Sequence, residues 1–439
     1  MTTHLLRRPL ITGLSATLAV RLCAIGLTFI QTLALTRVFG AEVYGTLSLA
    51  ISVGALTTLA LSLGMDQVIM RDLARIGPAH ARTSPIWQNT LGQTARAVIP
   101  LATVATLAAV CLTVQSGNPA FLAIAISLPL LLARKFLENW VLGAGAVLRS
   151  MLASQIVFPV AITLGAATLL LGPVPADLRA AGVLYTTAAF ASVTAALILA
   201  ARAIRQTLPP ALKANDLAPL ATGRALALVT FGFLASQHID VLLTGLLSDP
   251  TDTALVRVSA RVAEMLGLLR MVAVLHFKPK LAAAYGQQNR AQLIAQTRTL
   301  TLIFAASGLP LFAASGLPLF AALWLLAPHL LSLFGPEFIA AAPVLRLYLI
   351  AVALTLLAGP CTLLLTLCDA EKTAARILWI ALAINLILDL ILIPRFGAIG
   401  CASANIAALA TLSVLGILAT RRLIGIDPSV LALLRKDPT

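Results

Sequence analysis

Charge is scarce in this chain. Only 11% of its 439 residues are Asp, Glu, Lys or Arg, and aromatic residues make up 5%. Soluble globular domains carry about 25% charged residues, so a water-soluble fold is excluded. Acids are scarcer than bases, 16 against 31, which leaves a formal net charge of +15. In a soluble chain that balance would point to nucleic acid; here the positions of the bases explain it better. Cysteine is limited to Cys23, Cys111, Cys361, Cys368 and Cys401, all in or at the ends of apolar segments. None forms a CxxC pair, so neither a disulfide framework nor a redox or metal motif is expected. His4, His80, His238, His276 and His329 are too scattered for a ligand cluster.

What the chain has instead is apolar length. Hydrophobic residues make up 60% of it, and the mean hydropathy is +0.98. Arg7 and Arg8 precede an apolar run to Leu35. That run exceeds the roughly 7–15 residues of a signal-peptide core, so it reads as an uncleaved first helix. At about 20 residues per span, the pattern predicts twelve helices: 10–35, 45–64, 97–115, 119–142, 150–172, 181–203, 225–247, 254–276, 299–333, 341–367, 375–393 and 399–420. The ninth is too long for one straight span. With the N-terminus in the cytoplasm, 23 of the 31 Lys and Arg fall in inside segments and four (Arg37, Arg179, Arg257, Arg395) outside. This is the positive-inside bias, and it predicts cytoplasmic N- and C-termini. The links between spans are too short for a separate folded domain.

Two repeats are visible. A weak similarity between Thr36–Gly77 and Thr244–Gly286 overlays helices 1–6 on helices 7–12 at an offset of about 208 residues, as in a parallel repeat. The expected fold is therefore an all-α polytopic membrane protein of two six-helix bundles related by a pseudo-twofold along the membrane normal. The bundles span 1–205 and 225–422, with a cytoplasmic linker at 206–224. A tail at 423–439 either forms a short interfacial helix or frays. The second repeat is a tandem octapeptide, FAASGLPL, at Phe304–Leu311 and Phe312–Leu319. Its prolines, Pro310 and Pro318, are expected to kink or break the ninth helix.

Charges inside spans are costly and by default face a cavity or pathway rather than lipid. The densest set lies in Ala254–Met271. At 100° per residue, Arg257, Arg261 and Glu264 share a stripe about 60° wide, while Arg270 points away. Arg257 and Arg346 either face a cavity or snorkel to the outer interface. Arg21 lies deep in the first span, which favours a cavity role. The other acids within spans are Asp240 and Asp389, the latter four residues after Asn385 and on the same helix face. Asp240, Glu264, Asp389 and Asn385 are candidates for neutralising an arginine or binding a coupling ion, Na+ or H+. For Asp389 a satisfied helix–helix hydrogen bond is an equal alternative. Arg134, Lys135 and Glu138 read as headgroup anchors.

Four motifs then resemble one family. Gly40-Ala-Glu-Val-Tyr-Gly45, Leu63-Gly-Met-Asp-Gln with Arg71-Asp-Leu-Ala, Phe334-Gly-Pro-Glu-Phe338 and the stretch Asn385 to Gly400 are similar, in order, to signatures of the polysaccharide transporters. This is the Wzx-like branch of the MOP superfamily, akin to lipid II flippases and MATE exporters. The likeness covers essentially the whole chain. Asp389, where Asn is common, and the octapeptide duplication depart from it. The resemblance implies alternating access by two bundles in the bacterial inner membrane. The implied cargo is an isoprenoid-diphosphate-linked oligosaccharide for O-antigen, capsule or exopolysaccharide assembly, flipped to the periplasmic leaflet. Other polysaccharide-assembly proteins would be partners, nucleic acid would not, and no cofactor is implied. A desolvated diphosphate favours guanidinium forks, which makes Arg21, Arg257, Arg261 and Arg346 the candidate diphosphate-binding residues. Two alternatives stand beside this reading. One is a MATE-like ion-coupled exporter, for which a cavity dominated by acids is expected. The other is a membrane glycan polymerase, ligase or glycosyltransferase, for which a large outside loop or an acidic loop motif is expected. The chain shows neither enzyme feature.

Overall fold

The computed structural model describes residues 3–62, 64–76, 85–116, 119–172, 175–204, 220–308 and 319–434. Residues 206–219 of the expected linker and most of the second octapeptide copy lie outside the described residues, as do Pro310 and Pro318. Among those described, every regular element is helical. In chain order the helices are α1 (Thr3–Ser62), α2 (Met65–Ile76), α3 (Pro85–Ser116), α4 (Pro119–Gly143), α5 (Val147–Leu152), α6 (Phe158–Leu171), α7 (Leu178–Ile204) and α8 (Leu220–Leu247). There follow α9 (Pro250–Glu264), α10 (Leu268–Gly286), α11 (Arg290–Gly308), α12 (Leu319–Leu325), α13 (Ala327–Ser332), α14 (Ala342–Ala358), α15 (Cys361–Leu367), α16 (Glu371–Leu423) and α17 (Val430–Leu434). Two compact units divide the chain, Met1–His238 and Ile239–Thr439.

Among the described residues, five helical stretches are long and apolar enough to cross a membrane: Ala19–Ser62, Val147–Leu171, Leu178–Arg202, Pro336–Ala358 and Glu371–Leu423. The first and last, at 44 and 53 residues, are far longer than the roughly 20 residues that one crossing needs. Each is broken at a single glycine with positive φ, Gly40 (φ 70°) and Gly397 (φ 54°). At Gly397 the chain reverses. A Cβ on Gly400 would lie 2.3 Å from the carbonyl oxygen of Leu392, a contact that a straight helix places about 12 Å apart. Non-glycine residues rarely adopt this backbone conformation. Gly397 also has no room for one, because its Cβ would meet Asp252 Oδ2 at 2.1 Å.

Other breaks are smaller. The expected eighth span is interrupted by a 3-10 turn at Met265–Gly267, which changes the helical phase between the Arg257–Glu264 stripe and Arg270. Arg270 Nη1 accordingly donates to Thr355 Oγ1 of α14 at 3.3 Å. In the first unit a π turn at Ala153–Val157 joins α5 to α6. Of the expected tail, residues 424–434 are described and pack onto the second unit, and 435–439 lie outside the described residues. Ile426, Ser429 and Val430 are buried, and Ile424 packs on the cluster of Leu365, Ala374 and Ile377.

Candidate functional site

The second unit holds a buried polar cluster built around Asp240 of α8. Each arm of the α16 hairpin presents a pair spaced i, i+4, which puts both members on one face. The first arm brings Asn385 and Asp389, the second Cys401 and Asn405. Only because the chain turns back at Gly397 do both arms reach the same carboxylate. Asn385 Nδ2 donates to Asp240 Oδ1 at 3.0 Å, and Asn405 Nδ2 donates to Asp240 Oδ2 at 2.9 Å. Tyr348 of α14 adds its hydroxyl to Oδ2 at 2.9 Å. Asn385 Nδ2 also lies 2.5 Å from Asp389 Oδ2, so one amide bridges two carboxylates. The Cys401 thiol sits 3.6 Å from the Tyr348 hydroxyl and 3.7 Å from the Asp240 carbonyl oxygen.

The two acids are not equivalent. Asp240 receives three donors, whereas Asp389, fully buried, keeps Oδ1 without a hydrogen-bond partner. Among the described residues no Lys or Arg forms an ion pair with either acid. Two carboxylates together in a dry interior require a compensating positive charge. One ligand atom from each of Asp240, Asp389 and Cys401 lies within 4.8 Å of the others. The two carboxylates are hard donors suited to a small hard cation and the Cys401 thiol is a soft one, while the Asn385, Asn405 and Tyr348 groups are already turned to donate to Asp240. The two carboxylates could share a cation or hold a proton on one carboxyl.

Of the residues singled out in the sequence, the structure thus brings Asp240, Asn385 and Asp389 together. Glu264 stands apart from them and pairs with Arg261, Oε2 to Nη1 at 2.6 Å. Arg261 is half-buried and its Nε has no hydrogen-bond partner. Arg346 lies over the Trp324 ring, its guanidinium carbon 5.7 Å from the ring centroid, and its Nε is also buried and unpartnered. Trp324 in turn stacks on Phe320. Arg257 is half-buried and Arg21 is exposed. Tyr348, Cys401 and Asn405 were missed in the sequence. The signal for the last two was present in their own i, i+4 spacing and in an Asn within an Ala-rich span.

The first unit has a separate network. Lys135 Nζ lies 3.6 Å from the buried Asp66 Oδ2 and 3.0 Å from Ser62 Oγ, and Asn139 Nδ2 donates to the same carboxylate oxygen at 3.2 Å. Arg134 pairs with Glu138 at 3.4 Å and lies over the Phe158 ring. These three charged residues of α4 are therefore half-buried members of an internal network and not headgroup anchors. The turn at Gly64 (φ 71°) begins α2 so that Asp66 meets α4.

The fold is similar to that of several solved membrane-transporter structures. A multidrug-resistance MATE-family transporter of the MOP superfamily, inward-facing, is similar over 93% of this chain and 96% of its own, with TM-score 0.64 and 17% identity. Lipid II flippase MurJ in an inward closed conformation matches over 92% of this chain and 87% of its own, with TM-score 0.64 and 11% identity. The MATE multidrug transporter DinF-BH covers 96% of this chain and 97% of its own, with TM-score 0.59 and 16% identity. By their descriptions these three are two MATE transporters and a lipid II flippase. No protein-family profile and no curated protein matches the chain.

Proposed function

We propose that this protein is a cation-coupled flippase of the inner membrane that carries an isoprenoid-diphosphate-linked oligosaccharide to the periplasmic leaflet by alternating access. The observation that carries the diphosphate is the pair of guanidinium groups with work left to do. Arg261 and Arg346 each keep a buried Nε–H without an acceptor, and a buried unmade hydrogen bond costs about 1–3 kcal/mol. A diphosphate supplies acceptors in the planar, charge-assisted geometry that guanidinium prefers. Glu264 neutralises Arg261 while cargo is absent and yields to the phosphate when cargo arrives. Arg257 belongs to the same unit as Arg261 and Arg346, and Arg21 of the first unit is a further candidate. Coupling falls to the Asp240–Asn385–Asp389 cluster, in which Na+ or H+ supplies the missing positive charge.

A MATE-like export of small molecules is the second reading, favoured by the MATE neighbours, one of which has the same TM-score as MurJ. One experiment separates the two. In a flippase-null strain, Arg261→Ala inserts normally, abolishes surface glycan and accumulates inner-leaflet lipid-linked intermediate. Arg261→Lys restores export in part, since Lys keeps the charge and loses the fork. Full export by a well-expressed Arg21→Ala/Arg261→Ala double variant overturns the diphosphate role. Drug resistance conferred by the wild type without glycan rescue selects the exporter.

A further inference from the structure

The helix that carries Arg346 and Tyr348 is broken just beyond its end. α14 stops at Ala358, Gly359 takes φ 75°, Pro360 follows, and α15 begins at Cys361. Pro360 removes a backbone donor at the break and bars the residue before it from the helical region. Such a junction is a natural bending point. The chain's own C-terminal segment occupies it. A Cβ on Gly359 would lie 1.8 Å from the Pro428 carbonyl oxygen and 3.3 Å from Thr301 Oγ1. That carbonyl lies 2.9 Å from the Thr301 hydroxyl of α11. The segment thus bridges the break and a second helix at one point.

Its moorings are of two kinds. Ile426 and Val430 are apolar anchors, each 5% exposed. Ile424 packs beside them on Leu365, Ala374 and Ile377. The polar moorings are mixed: Ser429 and the Thr301 bond to Pro428 are buried, and the others reach the surface. Arg421 pairs with Asp427, Ser429 N and Oγ both donate to Asp427 Oδ1, and Arg290 Nη2 donates to the Gly425 carbonyl at 3.2 Å. Arg421 remains 39% exposed in its side chain, so this pair is open to water and to screening by salt. A segment of eleven residues, anchored by Ile424, Ile426 and Val430 and by a polar set that includes the exposed Arg421 pair, is small enough to open as a local unit while the helices beneath it stay folded.

We propose that residues 424–434 are a releasable latch. Docked, the segment fixes the Gly359–Pro360 junction against α11. Released, it leaves the lower end of α14 free to bend while the upper part, with Arg346 and Tyr348, stays packed. The latch is a device of this chain's own fold and does not depend on which cargo or ion is carried.

Hydrogen–deuterium exchange of the full-length protein in detergent tests it. Thr301→Val/Asp427→Asn removes the Pro428 hydrogen bond and the Arg421 pair and leaves the segment in place. Exchange in peptides spanning 355–368 and 424–434 is expected to accelerate at least tenfold in this variant, with peptides spanning 385–405 unchanged. A variant ending at Leu423 should show the same acceleration at 355–368. In the wild type, raising NaCl from about 0.05 to 0.5 M should accelerate 424–434, in line with screening of the pair. Unchanged exchange at 355–368 in the double variant overturns the latch. Acceleration spread equally over the whole second unit also overturns it, because the segment is then part of the unit's core.

Discussion

Asp389 Oδ1, a buried carboxylate oxygen with no hydrogen-bond donor, is the most consequential single atom among the described residues. Asp389 is buried to 0% exposure with that oxygen unpartnered, and the amide that donates to its other oxygen is shared with Asp240. A cation bound there stabilises the folded state by about 2.7 kcal/mol at a hundredfold excess over Kd. We therefore expect Na+, at ionic strength matched with a large organic cation, or a fall in pH, to raise the thermal midpoint of the purified protein. Asp389→Asn should abolish that response, because the neutral amide removes the charge that calls for compensation. A wild-type midpoint indifferent to both Na+ and pH contradicts a coupling role for the cluster. Half of this cluster was legible in the sequence. Asp240, Asn385 and Asp389 stand out as polar residues in apolar spans. Their assembly with Cys401, Asn405 and Tyr348 was not legible, since it depends on which helix faces meet.

At the scale of elements, glycine and short irregular turns do most of the shaping. The sequence pattern placed a short link near 394–399, and the structure compresses it to one residue of non-helical backbone at Gly397. Gly397→Ala forces an L residue into the left-handed region, at a cost of about 1–2 kcal/mol, and drives its methyl onto Asp252. A fall of several degrees in the detergent melting midpoint is expected, together with loss of the cation response, because the hairpin sets Asn385 and Asn405 on one carboxylate. Retention of both contradicts the hairpin's role. Apolar periodicity is blind to breaks of this kind. It therefore missed the 3-10 turn at Met265–Gly267, and the wheel that set Arg270 opposite Arg261 assumed a phase that the turn changes. It also left the tail open between an interfacial helix and fraying, because Ile426 and Val430 are too few to form a pattern, yet they pack.

For the whole molecule, the apolar composition announced a membrane protein, and the helical fold shared with MATE transporters and MurJ agrees. What composition does not determine is the cargo. Two guanidinium groups with spare N–H donors argue for an anion, and the acid cluster argues for a cation as its driving partner. Both are answered together by reconstitution. Purified protein is placed in liposomes of bacterial lipid with a fluorescent polyprenyl-diphosphate oligosaccharide, and arrival in the opposite leaflet is read by a membrane-impermeant quencher. The account predicts translocation that requires an imposed Na+ or H+ gradient and falls at least tenfold in Arg261→Ala and in Asp389→Asn. Translocation at the protein-free rate, or transport of an uncharged lipid-linked sugar as fast as the diphosphate form, would contradict it.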